Sequence, residues 1–289
     1  MLPAMAGKLR VAIVGSGNLG SALATSLRRA GYAIEVVARS SAESERRAKA
    51  LAKRVRGLVR AGLGESTASV VWICVPDDAI EQVARSLASG VNWRRRVVIH
   101  SSGALTSDAL NVLRKCGASV ASVHPLMTFV AGSRPSLQGV SFAIEGDAAA
   151  VRASRRIVND LGGDAYPIRK QAKAAYHAWG TFASPLLTAL LATTERVAGL
   201  AGVKQEAARR RMMPILLQTL VNYASSGAAD GFSGPIVRGD VETVKKHLQV
   251  LRAEPLTKKA YAALARAALQ YLPAKHKNAL RKLLDSAPG

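Results

Sequence analysis

The sequence is poor in the residues that mark several classes of protein. It has two cysteines, and aromatic residues make up only 4% of the chain. Because Cys74 and Cys116 stand far apart, they offer neither a disulfide framework nor a metal cluster, and we expect a reducing, cytoplasmic location. No secretory signal and no bilayer-spanning apolar run is visible. The longest apolar candidate, residues 181–191, is interrupted by Pro185 and is predicted to be a buried helix.

Acidic residues are also scarce. The chain has 19 Asp and Glu against 41 Lys and Arg, which gives a formal net charge of +22 at pH 7. Such a charge can mark a nucleic-acid-binding protein. However, the basic residues are spread along the chain, no nucleic-acid-binding motif is present, and few aromatics are available to stack on bases. We therefore favour an arginine-rich surface that attracts anionic cofactors and substrates, with nucleic-acid binding as the alternative.

The pattern of apolar segments predicts two domains in the 289 residues. Strands alternate with helices in the first half, which is typical of a Rossmann-like, doubly wound parallel α/β sheet. The predicted strands are residues 9–14, 33–38, 69–75, 96–100, 118–123, 140–144 and 165–168. From about Lys170 the pattern is helical. We therefore predict a Rossmann-like domain over residues 1–168 and an all-α domain over residues 169–289.

A glycine turn follows the first predicted strand, with Gly15, Gly17 and Gly20 in the spacing G-x-G-x-x-G. Gly15 allows a sharp turn, Gly17 lets the backbone approach a pyrophosphate, and Gly20 lets the helix pack closely. The helix N-terminus presents free N–H groups to the phosphates. The predicted cofactor-binding turn is therefore Gly15, Ser16, Gly17, Asn18, Leu19 and Gly20. The alternative is a Rossmann-type domain that binds no nucleotide.

The end of the second predicted strand distinguishes between the two nicotinamide cofactors. An NAD enzyme places an acidic residue there to bind the ribose hydroxyls. This chain has Arg39-Ser40-Ser41 instead. An arginine and hydroxyls can hold a 2′-phosphate, so we predict NADP rather than NAD, with Arg39 and Ser40 among the contacts. The alternative is that Arg39 is a solvated turn residue.

Further candidates follow the other strands, because ligands of such sheets bind at the carboxyl ends of the strands. Val75 and Pro76 are predicted to contact the cofactor, and Asp77 and Asp78 to cap the next helix. Ser101, with His100 before it, is predicted to line the nicotinamide pocket.

A histidine after a later strand is a candidate for proton transfer. His124 can orient a substrate or donate a proton. The alternative is a turn histidine fixed by Pro125.

The helical half opens with a second candidate for chemistry. Lys173 and His177 are four residues apart, so they share one face of a helix, and Thr181 extends that face. A ketone or imine reductase needs a proton donor and a positive group beside the hydride acceptor. Lys173 and His177 are therefore predicted to be catalytic and Thr181 to bind substrate. The alternative is a solvated lysine and a structural histidine.

A glycine-rich turn at residues 231–240 interrupts the helical half. Arg238 is predicted to hold a substrate carboxylate, and Asp240 to cap the following helix. A purely structural loop or a subunit contact is the alternative.

The order of five motifs resembles one family of predicted oxidoreductases, which have a Rossmann-like domain and a C-terminal helical domain of unknown function. The motifs are residues 15–20, 75–77, 124–129, 173–177 and 234–240. The family is similar to pyrroline-carboxylate reductases, β-hydroxyacid dehydrogenases and ketopantoate reductases. The resemblance implies an NADP-type reductase that dimerises through its helical domain. It also implies a catalytic role for Lys173, although His177 stands where β-hydroxyacid dehydrogenases have an asparagine.

These observations together predict an NADP-dependent oxidoreductase that reduces a small, anionic oxo acid or a cyclic imine and acts as a homodimer. One alternative is a catalytically inactive, NADP-binding sensor or scaffold. A narrower alternative is a flavin-type cofactor such as a deazaflavin, which some related Rossmann-type reductases use with NADP.

Overall fold

The computed structural model describes residues 9–38, 41–133 and 135–286. The chain divides into two compact units, Met1–Ser184 and Pro185–Gly289. Helical structure begins at Lys170, close to the predicted domain boundary at residue 168. The first compact unit nevertheless continues to Ser184, because the helix after that boundary buries Lys173 and Tyr176 within this unit.

An eight-stranded sheet forms the centre of the first unit. The strands are β1 (Arg10–Val14), β2 (Ala33–Val37), β3 (Leu58–Arg60), β4 (Val70–Ile73), β5 (Val97–His100), β6 (Ser119–Pro125), β7 (Ser141–Gly146) and β8 (Asp164–Pro167). Their order is β3-β2-β1-β4-β5-β6-β7-β8. The predicted class, a Rossmann-like sheet followed by a helical region, is confirmed.

One pairing departs from the parallel sheet that the sequence predicted, because β6 and β7 run antiparallel. A parallel pairing needs a crossover segment, which is usually a helix. The described part of the connection between β6 and β7 contains no helix, so the chain turns back beside the strand it has just left. The short edge strand β3 was also not predicted, because Leu58 and Val59 are exposed and show no buried periodicity.

Helices cover both faces of the sheet. They are α1 (Asn18–Arg29), α2 (Ala42–Val55), α3 (Asp77–Leu87), α4 (Asn111–Lys115), α5 (Ala148–Asp160) and α6 (Lys173–Thr181). Leu23 of α1, Leu51 of α2 and Ile157 of α5 belong to one apolar core. Ile80 of α3 and Leu113 of α4 belong to the core on the opposite face. This division of helices defines the doubly wound architecture.

The glycine turn between β1 and α1 depends on the absence of side chains. Gly15 has φ +108°, and a Cβ there would lie 2.4 Å from the Cys74 carbonyl oxygen. A Cβ on Gly20 would lie 2.0 Å from the Gly15 carbonyl oxygen, whereas one on Gly17 would meet nothing within 4 Å. Gly15 and Gly20 therefore allow the close approach of helix and strand, while Gly17 faces open space.

The second unit is helical, with a small core of its own. It contains α7 (Leu187–Leu200), α8 (Gln205–Gly231, interrupted at Gly227), α9 (Pro235–Arg238), α10 (Val241–Val250), α11 (Pro255–Tyr271) and α12 (Lys277–Asp285). The core includes Val244, Leu248, Leu269, Leu280 and Leu284. The Asp240 carboxylate accepts a hydrogen bond from the Thr243 N–H at 3.1 Å, so the predicted helix cap is confirmed.

Residues 181–191 are not the buried helix that the sequence predicted. Phe182 is 71% exposed, and Leu186 is 45% exposed. Apolar side chains of α8 are exposed as well, with Ile215 at 68% and Tyr223 at 62%. No single helix in the described residues is long and apolar enough to cross a membrane. In the same residues, one pair of helical segments separated by a sharp bend, 170–200 and 205–238, is long and apolar enough when the two are taken together.

We predict that Gly20→Ala destabilises the protein and Gly17→Ala does so much less. The added methyl group at residue 20 collides with backbone, which should cost about 1–3 kcal/mol of unfolding free energy. At residue 17, the N-cap of α1, the cost should stay below about 1 kcal/mol. Urea unfolding of both variants measures this, and equal losses would contradict the packing role of Gly20.

Candidate functional site

Four segments that the sequence singled out meet at one edge of the sheet. The strands β1, β4, β5 and β6 are parallel neighbours, so their carboxyl ends lie side by side. The glycine turn, residues 75–77 and residues 101–103 follow the first three of these ends, and the His124-Pro125 pair is the end of β6 itself. The first unit alone therefore brings together the backbone turn and the polar side chains of the predicted site.

The glycine turn has the features of a phosphate-binding helix start. Gly17 is the N-cap of α1, and no side chain caps the first turn, so its N–H groups are open to a ligand. The Asn18 amide donates to the Phe129 carbonyl at 3.2 Å and ties the turn to the segment after β6. Ser16 is held through its carbonyl, which accepts from the Ser21 hydroxyl at 3.2 Å.

A cavity of about 570 Å³ lies beside this turn. Its lining includes Val14, Val37, Ala38, Leu63 and Val83, which belong to the ends of β1 and β2, the segment after β3, and α3. Polar side chains such as Gln82 and Ser86 line it as well, and a mixed cavity next to a phosphate-type turn fits a dinucleotide. Arg39 and Ser40 lie outside the described residues, so the choice of NADP over NAD stays a prediction. The neighbouring Ser41 hydroxyl caps α2 by accepting from the Ser44 N–H.

The loop after β5, residues 101–103, is held by side chains on both sides. The Trp72 indole donates to the Ser101 hydroxyl at 2.7 Å, so that hydroxyl is buried and already engaged. The Ser102 hydroxyl donates to the Asp77 carboxylate at 2.6 Å and accepts from the Leu105 N–H at 2.8 Å. Asp77 is thus not the expected helix cap. Pro76 is the N-cap of α3, and Asp77 instead fixes the loop.

His100 is a buried residue that shapes this loop, and its contact with a nicotinamide ring stays a prediction. It is fully buried, its Nδ1 accepts from the Ser102 N–H at 3.1 Å, and its Nε2 faces the Thr106 carbonyl at 3.0 Å. Burial is the main reason that the pKa of His100 is lowered to about 4. The imidazole is therefore neutral at pH 7 and serves to shape the loop.

Lys173 lies beneath the same loop. Its side chain is 1% exposed, and its ammonium donates to the Ser102 carbonyl at 2.8 Å and to the Ser122 hydroxyl at 2.5 Å. Burial lowers the pKa of Lys173 to about 8, and the charges of Glu145 and Asp77 oppose that shift. The ammonium therefore connects the loop, β6 and α6, and the direct proton transfer predicted for it stays a prediction.

His124 forms a close pair with a residue that sequence reasoning missed. Its Nδ1 lies 2.7 Å from the Tyr176 hydroxyl, and the two rings stand edge to face with centroids 5.3 Å apart. Burial first, and then the charge of Lys173, lowers the pKa of His124 to about 4. The available signal was the position of Tyr176 beside His177 at the start of the helical half.

The imidazoles of His124 and His177 flank Gly103. A Cβ on Gly103 would lie 2.7 Å from His177 Cδ2 and 3.0 Å from His124 Nε2, and the ring centroids are 6.5 Å apart. Thr181 lies one turn further, where its hydroxyl donates to the His177 carbonyl at 2.9 Å. The structure thus brings both predicted catalytic histidines to one loop.

The remaining site predictions are not settled by this geometry. Arg238 is exposed at the end of α9 in the second unit, and its role toward a carboxylate stays a prediction. Leu19 and Val75 are half-buried and Pro76 is exposed near the glycine turn. Within the described ranges, no group of three or more His, Cys, Asp or Glu side chains could hold a metal ion.

Comparison with known proteins first defines the class of the chain. A model of the Rossmann-like domain matches residues 4–125. A model described as a domain of unknown function (DUF2520) matches residues 140–268. The protein is therefore a two-part chain, a Rossmann-like domain followed by DUF2520, and the family expected from its motifs is confirmed.

Solved structures share this fold along most of their length. A Bacteroides fragilis protein, BF3122, has a TM-score of 0.73 at 20% identity, with 90% of this chain and 98% of the other covered. An imine reductase from Pseudomonas sp. has a TM-score of 0.64 at 22% identity, with coverage of 96% and 99%. A reductive aminase from Aspergillus terreus, solved with NADPH and ethyl-5-oxohexanoate, has a TM-score of 0.66 at 15% identity, with coverage of 97% and 100%. No curated protein matches the chain.

We predict that Lys173 makes stability rise with pH in the alkaline range. Folding lowers its pKa from 10.5 to about 8, so between these values the unfolded chain binds more protons than the folded protein. The free energy of unfolding should then rise with pH across this window, by at most about 1.4 kcal/mol per pH unit. Lys173→Met should remove this contribution.

Urea unfolding of both proteins between pH of about 8 and 10 measures the difference. Subtracting the two curves cancels the opposite contribution of Tyr32 and Tyr176, whose pKa values are raised by burial. Parallel curves would show that Lys173 keeps an ordinary pKa in the folded protein.

Proposed function

We propose that the protein is an NADP-dependent oxidoreductase that reduces a small C=O or C=N compound. The observation that carries this proposal is the placement of the glycine turn and the His124–Tyr176 pair along one sheet edge. The first provides a phosphate site, and the second provides a proton donor. NAD is disfavoured by Arg39 and Ser40, which replace the acidic residue of NAD sites.

Different residues bind the cofactor and transfer the proton. The first-turn N–H groups of α1 hold the pyrophosphate, with the open side of Gly17 allowing close approach. NADPH, when bound, supplies the hydride that adds to the carbon of the acceptor. His124 supplies the proton that the acceptor oxygen or nitrogen gains, since its Nε2 lies beside Gly103.

Three further residues support this step. Lys173 holds the loop in place from below through the Ser102 carbonyl, so we assign it a positioning role. His177 is the second candidate donor, because its ring also lies against Gly103. Thr181 lies one turn further on the same helix, where its hydroxyl donates to the His177 carbonyl, and we retain it as a candidate substrate contact.

We propose two classes of substrate, whereas we propose a single cofactor. The similar structures include an imine reductase and a reductive aminase, which supports a C=N compound as acceptor, and a cyclic imine is our first candidate. A small oxo acid is the other candidate, and Arg238 would then bind its carboxylate. The competing function is an inactive, NADP-binding sensor, which would bind the cofactor and never oxidise it.

We predict tight binding of NADPH and much weaker binding of NADH in a fluorescence titration. Arg39→Ala should weaken NADPH binding about 10-fold, because one charge-assisted contact to the 2′-phosphate contributes about 1.5 kcal/mol. NADH binding should not change. Arg85→Ala is the matched control, since Arg85 is exposed and only pairs with Glu81 along α3.

Equal affinity for both dinucleotides, or binding of neither, would contradict the cofactor assignment. The same samples are then mixed with a panel of oxo acids and cyclic imines while NADPH absorbance is followed. Oxidation with one class identifies the acceptor. Tight binding without oxidation by any compound in the panel would favour the sensor.

We also propose that the protein is a homodimer built through the helical unit. An apolar cavity of about 580 Å³ in this unit is lined by residues that include Leu190, Val197 and Leu264. Exposed apolar side chains on α8, such as Ile215, offer the surface that a second copy could cover. Light scattering tests this directly: we expect twice the chain mass of 30.4 kDa, and a mass of 30.4 kDa would contradict it.

A further inference from the structure

The contact between His124 and Tyr176 raises the question of which group holds the proton. A neutral imidazole carries one N–H, either at Nδ1 or at Nε2. His124 Nδ1 and the Tyr176 hydroxyl are 2.7 Å apart, so one of them must donate to the other. The answer decides whether Nε2, on the side of Gly103, is a donor or an acceptor.

The geometry favours the tyrosine as donor. A phenol is a stronger acid than a neutral imidazole N–H, and an imidazole lone pair is the better acceptor. Two other oxygens lie near the Tyr176 hydroxyl. The His124 carbonyl is at 3.4 Å, which is long for a hydrogen bond from a hydroxyl, and the Tyr166 hydroxyl does not meet hydrogen-bond geometry. The Tyr176 O–H therefore donates a hydrogen bond to Nδ1 in the short contact. Nδ1 then carries no proton of its own, so the proton of the neutral imidazole is on Nε2.

Tyr166 of β8 supports this arrangement. Its ring centroid lies 6.5 Å from that of Tyr176, and its hydroxyl is buried without another hydrogen-bond partner among the described residues. A buried polar group without a hydrogen-bond partner destabilises the fold, so the unpaired hydroxyl of Tyr166 beside Tyr176 needs a physical explanation. By donating toward the Tyr176 oxygen, the Tyr166 hydroxyl would leave the Tyr176 O–H to His124 Nδ1.

The Nε2 side of His124 is free to serve a ligand. Nε2 lies 3.0 Å from the point where a Cβ of Gly103 would be, and no hydrogen-bond partner for it lies among the described residues. The groups that surround the ring electrostatically are Lys173, His177, Asp77 and His100. Burial and the Lys173 charge favour the neutral ring, so the ring has one proton to give.

We propose that Tyr176 is a positioning residue that fixes His124 as the Nε2–H tautomer, with Tyr166 behind it. This inference rests on the proposed function, in which His124 donates a proton from Nε2 to the reduced acceptor. The proton leaves Nε2 as Nδ1 receives the Tyr176 proton, so the ring passes from one neutral tautomer to the other. Nδ1 then returns its proton to Tyr176 as Nε2 takes a proton from solvent, which restores the starting tautomer before the next turnover.

The direct test is ¹⁵N NMR of the histidine side chains in the full-length protein. Long-range ¹H–¹⁵N correlations distinguish the two tautomers. The imidazole signal that disappears from the spectrum of His124→Asn is that of His124. We expect the Nε2–H pattern in the wild type. Tyr176→Phe should convert it to a mixture and raise the pKa of His124, because the hydrogen bond that favours the neutral ring is lost.

The chain contains a matched control in its second unit. His247 Nδ1 lies 3.0 Å from the Tyr261 hydroxyl, so Tyr261→Phe removes the same kind of contact elsewhere. It should change the His247 signal and leave that of His124 untouched. Tyr166→Phe should change the ratio of the two His124 tautomers less than Tyr176→Phe does. Unchanged signals of His100 would show that the loop keeps its fold in each variant.

Two results would overturn the inference: an Nδ1–H tautomer in the wild type, or an unchanged tautomer in Tyr176→Phe. Turnover separates this failure from failure of the proposed function. If His124→Asn loses about 100-fold or more in kcat while Tyr176→Phe loses nothing, His124 is the donor and Tyr176 does not position it. If His124→Asn retains full turnover, the proposed proton donor is wrong even where the tautomer is as expected.

Discussion

One buried ammonium group organises the candidate site. Lys173 reaches from α6 to the Ser102 carbonyl after β5 and to the Ser122 hydroxyl of β6. A buried cation is costly unless it is fully bonded, so this lysine does more to fix one arrangement than to stabilise the fold. Asp77 and Trp72 hold the loop from its other side. His124 and His177 can flank Gly103 because the loop is fixed on both sides.

The charge of the site differs from that of the whole chain. The formal net charge is +22, yet the imidazoles of His100 and His124 are neutral at pH 7 and the Lys173 ammonium is buried. The basic surface can raise the local concentration of an anionic cofactor. The centre of the site instead offers neutral hydrogen-bond donors, which suits proton transfer to a developing anion.

Sequence periodicity and glycine spacing predicted the sheet, the glycine turn and the segments at its edge, because each depends on local geometry. The same reasoning placed Lys173 and His177 on one helix face but could not show which of them is buried, since that depends on how α6 packs on the sheet. Tyr176 was missed because its partner His124 lies 52 residues away in the chain. The apolarity of residues 181–191 predicted burial, yet Phe182 and Leu186 are exposed, because apolarity alone does not fix how a segment packs.

A crystal structure of the complex with NADPH tests the arrangement of the sheet edge most directly. We expect the pyrophosphate at the first turn of α1 and the nicotinamide ring beside residues 101–103, with the His124 Nε2 side facing the open space next to it. A dinucleotide bound away from the glycine turn, or a nicotinamide ring directed away from His124, would contradict the site described above.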